Sequence, residues 1–505
     1  MFNFQFNGWL TPFINDIIRK GSESRIADLD FIRKEINRFL DGPQRADMIK
    51  GNNYYKGIHD ILGHKRTVIG EGGEVTEVEN LPNDRLVNNQ YGKLVDQKVN
   101  YLLGKQITFN TDNKVYSKIL NDEVFNASFD RLMLEVGEDS LNCGIGWIYV
   151  YYNEFGELSF RRFKPWQIIP GWADDEHTKL DYAIRVYPVL LYEGRNNEKL
   201  IHKIEVYDNK GITKFVKDGS TIYADGSDWQ IPYFYADNMP LGWDRIPLIP
   251  FKANRNELPL LKRVKSLQDA LNLMMSNFDN NMQEDVRNTI LILKNYDGEN
   301  LGEFRRNLAT YGAVKVKTVN NSDGDVTALT IAVNSENYKS IIELLKKSII
   351  ENAMGFDAKD DRLSGNPNQM NIQSMYSDVD LDANKMEMEY KASFERLLWF
   401  VNAYLSQTGK GNFDNEEVDI IFNRDILINE SEAIDNCAKS QGILSDETIV
   451  AQHPWIDDVQ DELKKLKKQK EENMAEYGLP MGQAPDTKGD KSAPTKGDKT
   501  PEGDE

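Results

Sequence analysis

A narrow stripe of apolar residues constrains the fold of this chain more than any other feature. After Pro259, which is acceptable at a helix start, apolar side chains recur every three or four positions, at Leu260, Val264, Leu267, Leu271, Met274, Phe278, Met282 and Val286. This spacing predicts one helix of about 27 residues, or roughly 40 Å. Because the stripe is narrow and the remaining faces are polar, the helix buries a single seam and needs a neighbour.

A second long helix is predicted over 336–354, with Tyr338, Ile341, Ile342, Leu345 and Ile349 on one side. Between the two helices lies a short α/β segment, with predicted strands at 289–294, 313–319 and 326–333 and a predicted helix at 301–311. The two seams can be buried within a helical hairpin of a monomer. They can equally be buried against identical subunits, which close into a ring where the rotation between copies permits. The residues themselves leave both arrangements open.

The rest of the chain alternates between helical and strand-rich stretches. Apolar periodicity predicts helices in roughly the first 140 residues, and clusters of β-branched and aromatic residues predict antiparallel strands from 146 to about 251. A loop poor in apolar residues at 355–371 precedes a very long helix at 372–406, a strand at 418–422 and a helical part at 430–477. Residues 478–505 contain no aromatic side chain and are predicted to be disordered. The predicted fold class is α+β.

Length and charge limit the class of protein. A chain of 505 residues predicts roughly three domains. Its 81 Asp+Glu outnumber its 61 Lys+Arg, and this net charge of -20 disfavours tight wrapping of DNA or RNA, since such binding comes mainly from neutralised phosphates. Cys143 and Cys437 are too few for a disulfide framework and are expected to be buried in a reducing compartment. Neither a signal-peptide pattern nor a run of about 20 apolar residues is present, so we expect an intracellular protein without a membrane segment.

The sequence offers no recognisable catalytic, metal or cofactor site. The five histidines, at positions 59, 64, 177, 202 and 453, lack the spacing of a zinc motif. No GxSxG elbow occurs, and none of the three Gly-Lys dipeptides completes a phosphate-binding loop. Asp378, Asp380 and Asp382 imitate a calcium loop, but Ala383 stands where that loop needs glycine. These carboxylates are therefore interpreted as a solvated acidic helix start.

Three stretches resemble a known family. They read Asn-Tyr-Tyr-Lys-Gly-Ile-His-Asp-Ile-Leu over 53–62, Asn-Leu-Pro-Asn-Asp-Arg over 80–85 and Val-Asp-Gln-Lys-Val-Asn-Tyr-Leu-Leu-Gly-Lys over 95–105. In these stretches, and in the order of its later elements, the chain resembles tailed-bacteriophage portal proteins of the SPP1 type. The resemblance implies a portal fold that forms a ring oligomer. Its parts would be a mixed wing (1–258), a first stem helix (259–287), a small α/β clip (288–334), a second stem helix (335–354), a tunnel loop (355–371), a long bent helix with a strand returning to the wing (372–428), a helical crown (429–477) and a disordered tail (478–505).

The same resemblance implies a function without catalysis. Portal proteins form rings, of about 12 subunits in the virion, at one vertex of the capsid. Double-stranded DNA is packaged through the ring by a terminase ATPase, retained, and later ejected. The implied partners are further copies of the chain, the DNA, the terminase large subunit, head-completion or adaptor proteins, and the major capsid and scaffolding proteins. No cofactor and no membrane are implied. The expected location is the portal vertex of the virion, after assembly in the host bacterial cytoplasm.

The resemblance also assigns candidate residues. In the tunnel loop, Lys359 and Arg362 would touch phosphates transiently, and Asn366, Asn368 and Gln369 would offer neutral hydrogen bonds. In the clip, Arg305, Arg306, Lys315 and Lys317 would contact the terminase or an adaptor. In the stem, the residues expected to be packed rather than exposed to the channel are Leu267, Leu271, Met274, Phe278, Ile342, Leu345 and Ile349.

Two other functions are alternatives to a conduit. An intracellular scaffold without catalytic activity could use the same helical hairpin to bind partner helices. The charged loop and clip residues would then be ordinary solvated side chains. An enzyme with an unrecognised site is the third hypothesis, and no sequence motif favours it.

Overall fold

The computed structural model describes residues 29–69, 73–77, 81–192, 198–227, 229–236, 239–285, 289–294, 300, 302, 306, 310, 316–318, 325–330, 335–357, 369–424, 430–456 and 462–469. The chain divides into two compact units. The first consists of Met1–Gly365 with Met370–Leu427, and the second of Asn366–Gln369 with Ile428–Glu505. Helices and strands are mixed along the chain, which confirms the predicted α+β class.

The first unit contains most of the described helices, apart from the first residue of the last one, Gln369. They are α1 (Leu29–Leu40), α2 (Pro43–Tyr55), α3 (Gln90–Leu103), α4 (Lys114–Lys118), α5 (Ala127–Cys143), α6 (Leu261–Asp285), α7 (Ser335–Asn352) and α8 (Gln369–Gln407). Short 3₁₀ turns at Asp60–Gly63 and Pro165–Gln167 and a π-helical turn at Ile119–Val124 accompany them. In the second unit, α9 (Glu430–Lys439) and α10 (Asp446–Ala451) are followed by helical residues 462–469.

The strands form several antiparallel sheets in the first unit. The largest has the order β10 (Thr221–Ala224), β9 (Ile212–Asp218), β8 (Glu198–Tyr207), β7 (Leu180–Tyr192) and β6 (Ile168–Trp172), with β11 (Gln230–Ile231) also paired to β9. A three-stranded sheet has the order β14 (Leu248–Lys252), β4 (Ile145–Tyr152) and β5 (Leu158–Phe163). The two-stranded pairs are β1 (Thr67–Ile69) with β2 (Val75–Glu77), β12 (Phe234–Ala236) with β13 (Met239–Leu241), β15 (Thr289–Lys294) with β16 (Asp325–Thr330), and β17 (Asp419–Ile421) with β3 (Thr108–Asn110).

Most boundaries lie close to those that periodicity predicts. Helices α6 and α7 flank the predicted α/β segment, of which the structure describes the β15–β16 pair, with Thr289 opposite Thr330. Helix α8 begins at Gln369, three residues before the predicted start, so Gln369 lies in the helix and not in the loop. The predicted strand at 313–319 is described only at 316–318, where the backbone is not part of a named strand.

Local sequence sets several helix ends. The side chains of Asn89, Asn113 and Asn126 accept hydrogen bonds from the first-turn amides of α3, α4 and α5, which otherwise lack partners. Helix α5 ends at Cys143 and is followed by Gly144, whose φ of 86° suits glycine. A Cβ at this position would lie only 1.9 Å from the carbonyl oxygen of Glu257. A glycine is therefore needed here both for the turn and for the close approach of the chain.

The main core joins helices to the three-stranded sheet. Aromatic rings at its centre include Phe251 from β14 and Tyr390 and Phe394 from α8, with edge-to-face contacts at centroid distances of 5.1 and 5.4 Å. A second cluster, centred on Ile32 and Ile36, packs α1 against the large sheet. Both cysteines are buried and free, as predicted.

Candidate functional site

The chain that enters the predicted tunnel loop is fixed to helix α3. The side chain of Gln97 makes two hydrogen bonds with the backbone of Phe356: its Oε1 accepts from the amide at 3.0 Å and its Nε2 donates to the carbonyl at 2.8 Å. Gly355 precedes this contact, and a Cβ at that position would lie 2.3 Å from Cδ2 of Leu94. The last described residues before position 358 are therefore held against one face of α3.

Lys98 joins this entering chain to the helix that leaves the loop. Its Nζ donates to the carbonyl of Met354 at 3.0 Å and to Oδ2 of Asp382, on α8, at 2.8 Å. The side chain is 5% exposed, and such a buried cation requires partners. Met354 has a φ of 54°, a conformation uncommon for a residue with a side chain. Lys98 thus ties together two segments that lie on either side of positions 358–368.

The charges at this point balance one another. Arg263, on α6, also donates to Asp382, at 3.1 Å. Burial raises the pKa of Asp382, but Lys98 and Arg263 together hold it below its ordinary value. Burial lowers the pKa of Lys98, and Asp382 opposes that change. The result is a charged carboxylate shared by two cations, which links α3, α6 and α8.

A second set of contacts lies one turn further along α3. The Tyr101 hydroxyl donates to Asp380, which also accepts from Arg424 at 2.8 Å. The Tyr101 ring stacks on Tyr376, and Tyr376 stacks on Phe356 with a centroid distance of 4.6 Å. The interpretation of Asp380 and Asp382 as solvated carboxylates is wrong, because both are paired. We call Gln97, Lys98, Tyr101, Phe356, Asp380 and Asp382 the loop base.

The predicted loop residues themselves fall mostly outside the description. Lys359, Arg362, Asn366 and Asn368 lie outside the described residues, and Gln369 is described only as the first residue of α8. Sequence reasoning missed the loop base, whose side chains hold the described residues on either side of positions 358–368. The signal was present, because Gln97, Lys98 and Tyr101 belong to the 95–105 stretch that carries the family resemblance.

Helix α6 carries a row of buried polar side chains beside its apolar seam. Four residues spaced four apart are 4% exposed or less, and they are Gln268, Asn272, Ser276 and Asn280. We call them the polar ladder. Their spacing places them on one helical face, about 6 Å apart along the axis.

The polar ladder binds the backbone of the segment that leads into α3. Side-chain oxygens of the ladder accept from the amides of Asp84 (2.7 Å, Asn280), Leu86 (2.9 Å, Ser276), Asn88 (2.9 Å, Asn272) and Tyr91 (3.1 Å, Gln268). Alternate residues of an extended chain advance about 6.6 Å, which nearly matches one ladder interval. The ladder therefore gives a segment without a named strand the hydrogen bonds that a neighbouring strand would supply.

His59 forms a further hydrogen bond with the polar ladder, at Asn272. Its Nδ1 accepts from Nδ2 of Asn272 at 2.8 Å, and its Nε2 lies 3.0 Å from the carbonyl of Tyr54. This arrangement requires a neutral ring that carries its proton on Nε2. Burial lowers the pKa of His59, although Tyr54, Asn89, Asp269 and Asp60 oppose the shift. Both ring nitrogens of His59 thus have partners within the chain.

The predicted stem residues differ in their burial. Leu271 and Ile349 are fully buried, and Leu267, Ile342 and Leu345 are partly buried against the main core. Phe278 is half-buried against Tyr338 of α7, with ring centroids 5.1 Å apart, and Met274 is half-buried. Much of the predicted apolar seam is therefore buried within one subunit. Sequence reasoning missed that polar side chains are also buried on α6.

The clip candidates are described in part. Arg306 and Lys317 are exposed, whereas Arg305 and Lys315 lie outside the described residues. Among the described residues, no group of three or more His, Cys, Asp or Glu side chains could hold a metal ion. In that same part of the chain, no helix has the length and apolar character required to span a bilayer.

Known proteins are similar to this chain over most of its length. The family model described as phage portal protein, SPP1 Gp6-like, matches residues 42–476. The portal protein of Bacillus phage SPP1 is 29% identical over 492 residues, covering 95% of this chain and 93% of the relative. The portal protein of Clostridium phage phiCD119 is 27% identical over 447 residues, covering 86% of this chain and 94% of the relative. A solved structure of the neck of a native GTA particle, computed with C12 symmetry, covers 71% of this chain and 87% of its own at 10% identity and a TM-score of 0.32.

Proposed function

Because this chain belongs to the SPP1 Gp6-like family of phage portal proteins, we propose that its copies form a ring of about 12 subunits that conducts double-stranded DNA through one capsid vertex. The ring retains the packaged DNA and later releases it. Packaging needs a separate ATPase, the terminase large subunit, and this division of labour agrees with the lack of a phosphate-binding loop in the sequence. The chain itself acts as a structural conduit without catalysis.

The loop base is the observation that carries this proposal. A segment that faces moving DNA must be held at a fixed position while its own side chains make only brief contacts. Gln97 and Lys98 hold Met354 and Phe356 before positions 358–368, and Lys98 holds Asp382 on the helix after them. Of the side chains in that segment, Lys359 and Arg362 would contact phosphates, while Asn366 and Asn368 would offer uncharged hydrogen bonds.

The acidic net charge favours passage of DNA over tight binding of DNA by the protein surface. A conduit that gripped the duplex would release counterions along many basic contacts and would slow the DNA. The net charge of -20 keeps such contacts few.

The clip and the outer surface supply the docking partners in this proposal. The exposed Arg306 and Lys317, with Arg305 and Lys315, would contact the terminase or, after packaging, a head-completion protein. Major capsid and scaffolding proteins would surround the ring at the vertex of the virion. Assembly would take place in the cytoplasm of the host bacterium.

End-on electron microscopy of the purified full-length chain tests the proposal. A mass near 12 times 58.0 kDa, or about 700 kDa for a closed ring, with a central hole is the expected result. Rings with a neighbouring subunit number would still support a conduit. A monomer or dimer at every protein and salt concentration would contradict it and would favour the scaffold hypothesis.

A further inference from the structure

A large groove in the first unit is lined by the largest sheet, by β14 and by helix α8. Its volume is about 1600 Å³, whereas pockets for small ligands usually measure about 300–1,000 Å³. Leu248, Trp399 and Phe400 belong to its apolar lining, and Asp181 and Thr213 to its polar lining. A groove of this size and mixed lining suits a peptide segment that is apolar on one side and polar on the other. We call it the aromatic groove.

The aromatic groove is nearly neutral. Its lining contains four cationic side chains and three carboxylates. Arg396, one of the cations, has acidic neighbours in Asp174 and Glu389, which favour its charged form. A charged occupant would therefore lose its hydration without finding an unpaired opposite charge. The groove favours an uncharged occupant.

One acceptor in the aromatic groove needs a donor. Oδ2 of Asp181 is buried and accepts no hydrogen bond from the described residues. Buried carboxylate oxygens are normally hydrogen-bonded. The side-chain amides of Asn and Gln supply N–H donors without adding a charge. An occupant that is aromatic on one side and carries such amides on the other would match the groove.

The chain before helix α1 has this pattern. Residues 2–7 read Phe-Asn-Phe-Gln-Phe-Asn, and this strict alternation places the rings and the amides on opposite sides of an extended segment. No charged side chain occurs before Asp16. Every other stretch outside the described residues either contains a charged side chain or is shorter than eight residues. The pattern thus selects residues 1–15 among the candidate segments of this chain.

Helix α1 begins near the aromatic groove. Phe31, in its first turn, contacts Tyr182 with ring centroids 5.7 Å apart, and Tyr182 follows Asp181 in β7. Since side chains alternate along a strand, these two neighbours lie on opposite faces of the sheet. Residues 16–28 can span up to about 40 Å when extended, whereas packed layers are about 10 Å apart. Residues 1–15 can therefore reach the groove of their own subunit.

We propose that residues 1–15 of each subunit occupy the aromatic groove of the same subunit. The aromatic side of residues 2–6 packs against Trp399 and Phe400, and a side-chain amide of the opposite side donates to Oδ2 of Asp181. This inference goes beyond the conduit and does not depend on it, because the segment and the groove belong to one chain.

Photo-crosslinking of the full-length chain tests this position. p-Benzoylphenylalanine replaces Phe4, and the irradiated protein is separated on a denaturing gel and digested for mass spectrometry. The expected product has the mass of one chain and links position 4 to peptides that contain Asp181, Thr213 or Trp399. Crosslinks to other peptides, covalent multimers or the absence of any crosslink would each overturn the proposal.

The same probe in place of Phe155 is the control for unspecific labelling. Phe155 is 86% exposed in the turn between β4 and β5, and a probe at this position is expected to leave the groove peptides unlabelled. Equal labelling of the groove from positions 4 and 155 would overturn the assignment, because the contact would then be unspecific.

Hydrogen exchange provides the second measurement. Phe4→Asp combined with Phe6→Asp places two charges on the aromatic side of the segment. Exchange at residues 208–213, which line the groove, is expected to become about 10-fold faster as the local cover is lost. Ser22→Asp combined with Ser24→Asp adds the same charge between the segment and α1, and it should leave this exchange unchanged. Equal exchange rates in the two variants would overturn the proposal.

Discussion

Nδ1 of His177 lies 2.7 Å from Oε1 of Glu257, and both residues have positive φ, at 57° and 53°. Such conformations cost about 1–3 kcal/mol each for residues other than glycine, so the surrounding contacts must outweigh that cost. Lys252, 8% exposed, forms an ion pair with the same Glu257 oxygen at 3.1 Å, and its Nζ lies over the ring of Trp172. This cluster fixes the turn between β14 and α6.

Glu257→Gln should destabilise the first unit strongly. The substitution keeps the shape of the side chain but leaves Lys252 buried without its anion, and breaking a buried ion pair costs about 3–5 kcal/mol. Chemical denaturation followed by tryptophan fluorescence measures the loss. His177→Asn is the matched control, because Asn tolerates a left-handed conformation and leaves the Lys252–Glu257 pair intact. Equal losses in the two variants would contradict this account.

His59→Gln should flatten the dependence of stability on pH between about 7 and 5.5. The pKa of His59 is lowered in the folded chain, so the unfolded chain binds the proton first as the pH falls below about 6.5. Stability linked to this group is therefore complete above pH 6.5 and declines on acidification. The measurement is the free energy of unfolding of both chains across this range. His202, whose pKa is also lowered, is present in both and cancels in the difference. Parallel curves would count against the neutral-ring assignment.

Asn272→Ala should loosen the segment held by the polar ladder. The change leaves the Asn88 amide and His59 Nδ1 without their partner, and a buried unsatisfied group costs about 1–3 kcal/mol. Hydrogen exchange at residues 84–91 should become faster, with most other helices unaffected. Leu273→Ala, at the neighbouring exposed position of α6, is the control and should leave this exchange unchanged. Slow exchange in the Asn272 variant would show that the ladder contributes little.

Deleting residues 361–368 should permit ring assembly and impair DNA packaging or retention. The contacts of the loop base all lie outside the deleted residues, so the shortened chain keeps them. Ring formation is checked by microscopy, and packaged DNA is measured as nuclease-protected length in an in vitro packaging reaction. Normal packaging by the shortened chain would remove the assigned role of this segment.

Arg305→Glu combined with Arg306→Glu should weaken terminase or adaptor binding without dissolving the ring. Reversed charge at an exposed docking surface mainly slows association, and a loss of about 10-fold or more is expected in a binding titration at low salt. Lys339→Glu, at an exposed position of α7, is the control for a charge reversal elsewhere on the surface. Unchanged binding would identify these arginines as ordinary solvated side chains.

Periodicity predicted the long elements because their burial repeats over many residues. Helices α6, α7 and α8 all lie within a few residues of the predicted positions. Asp380 and Asp382 were misinterpreted, because their partners Tyr101, Lys98 and Arg424 are distant in the chain and come close only through folding. Pairing across such separations leaves no periodic trace. The polar ladder did leave one, as four polar residues at intervals of four, but the adjacent apolar stripe dominated the pattern.

The polar ladder and the extended chain that it binds have unequal repeat distances. Successive ladder residues are about 6.0 Å apart and alternate residues of the extended chain about 6.6 Å apart, so the mismatch grows by about 0.6 Å at each hydrogen bond. The two repeats therefore match closely enough for hydrogen bonding over only a few positions. The chain becomes helical at Gln90, before the fourth of these hydrogen bonds, which the Tyr91 amide donates. Inserting a single residue between Asp84 and Asn88 would move every later amide away from its ladder partner, so this stretch should accept substitutions but not changes in length.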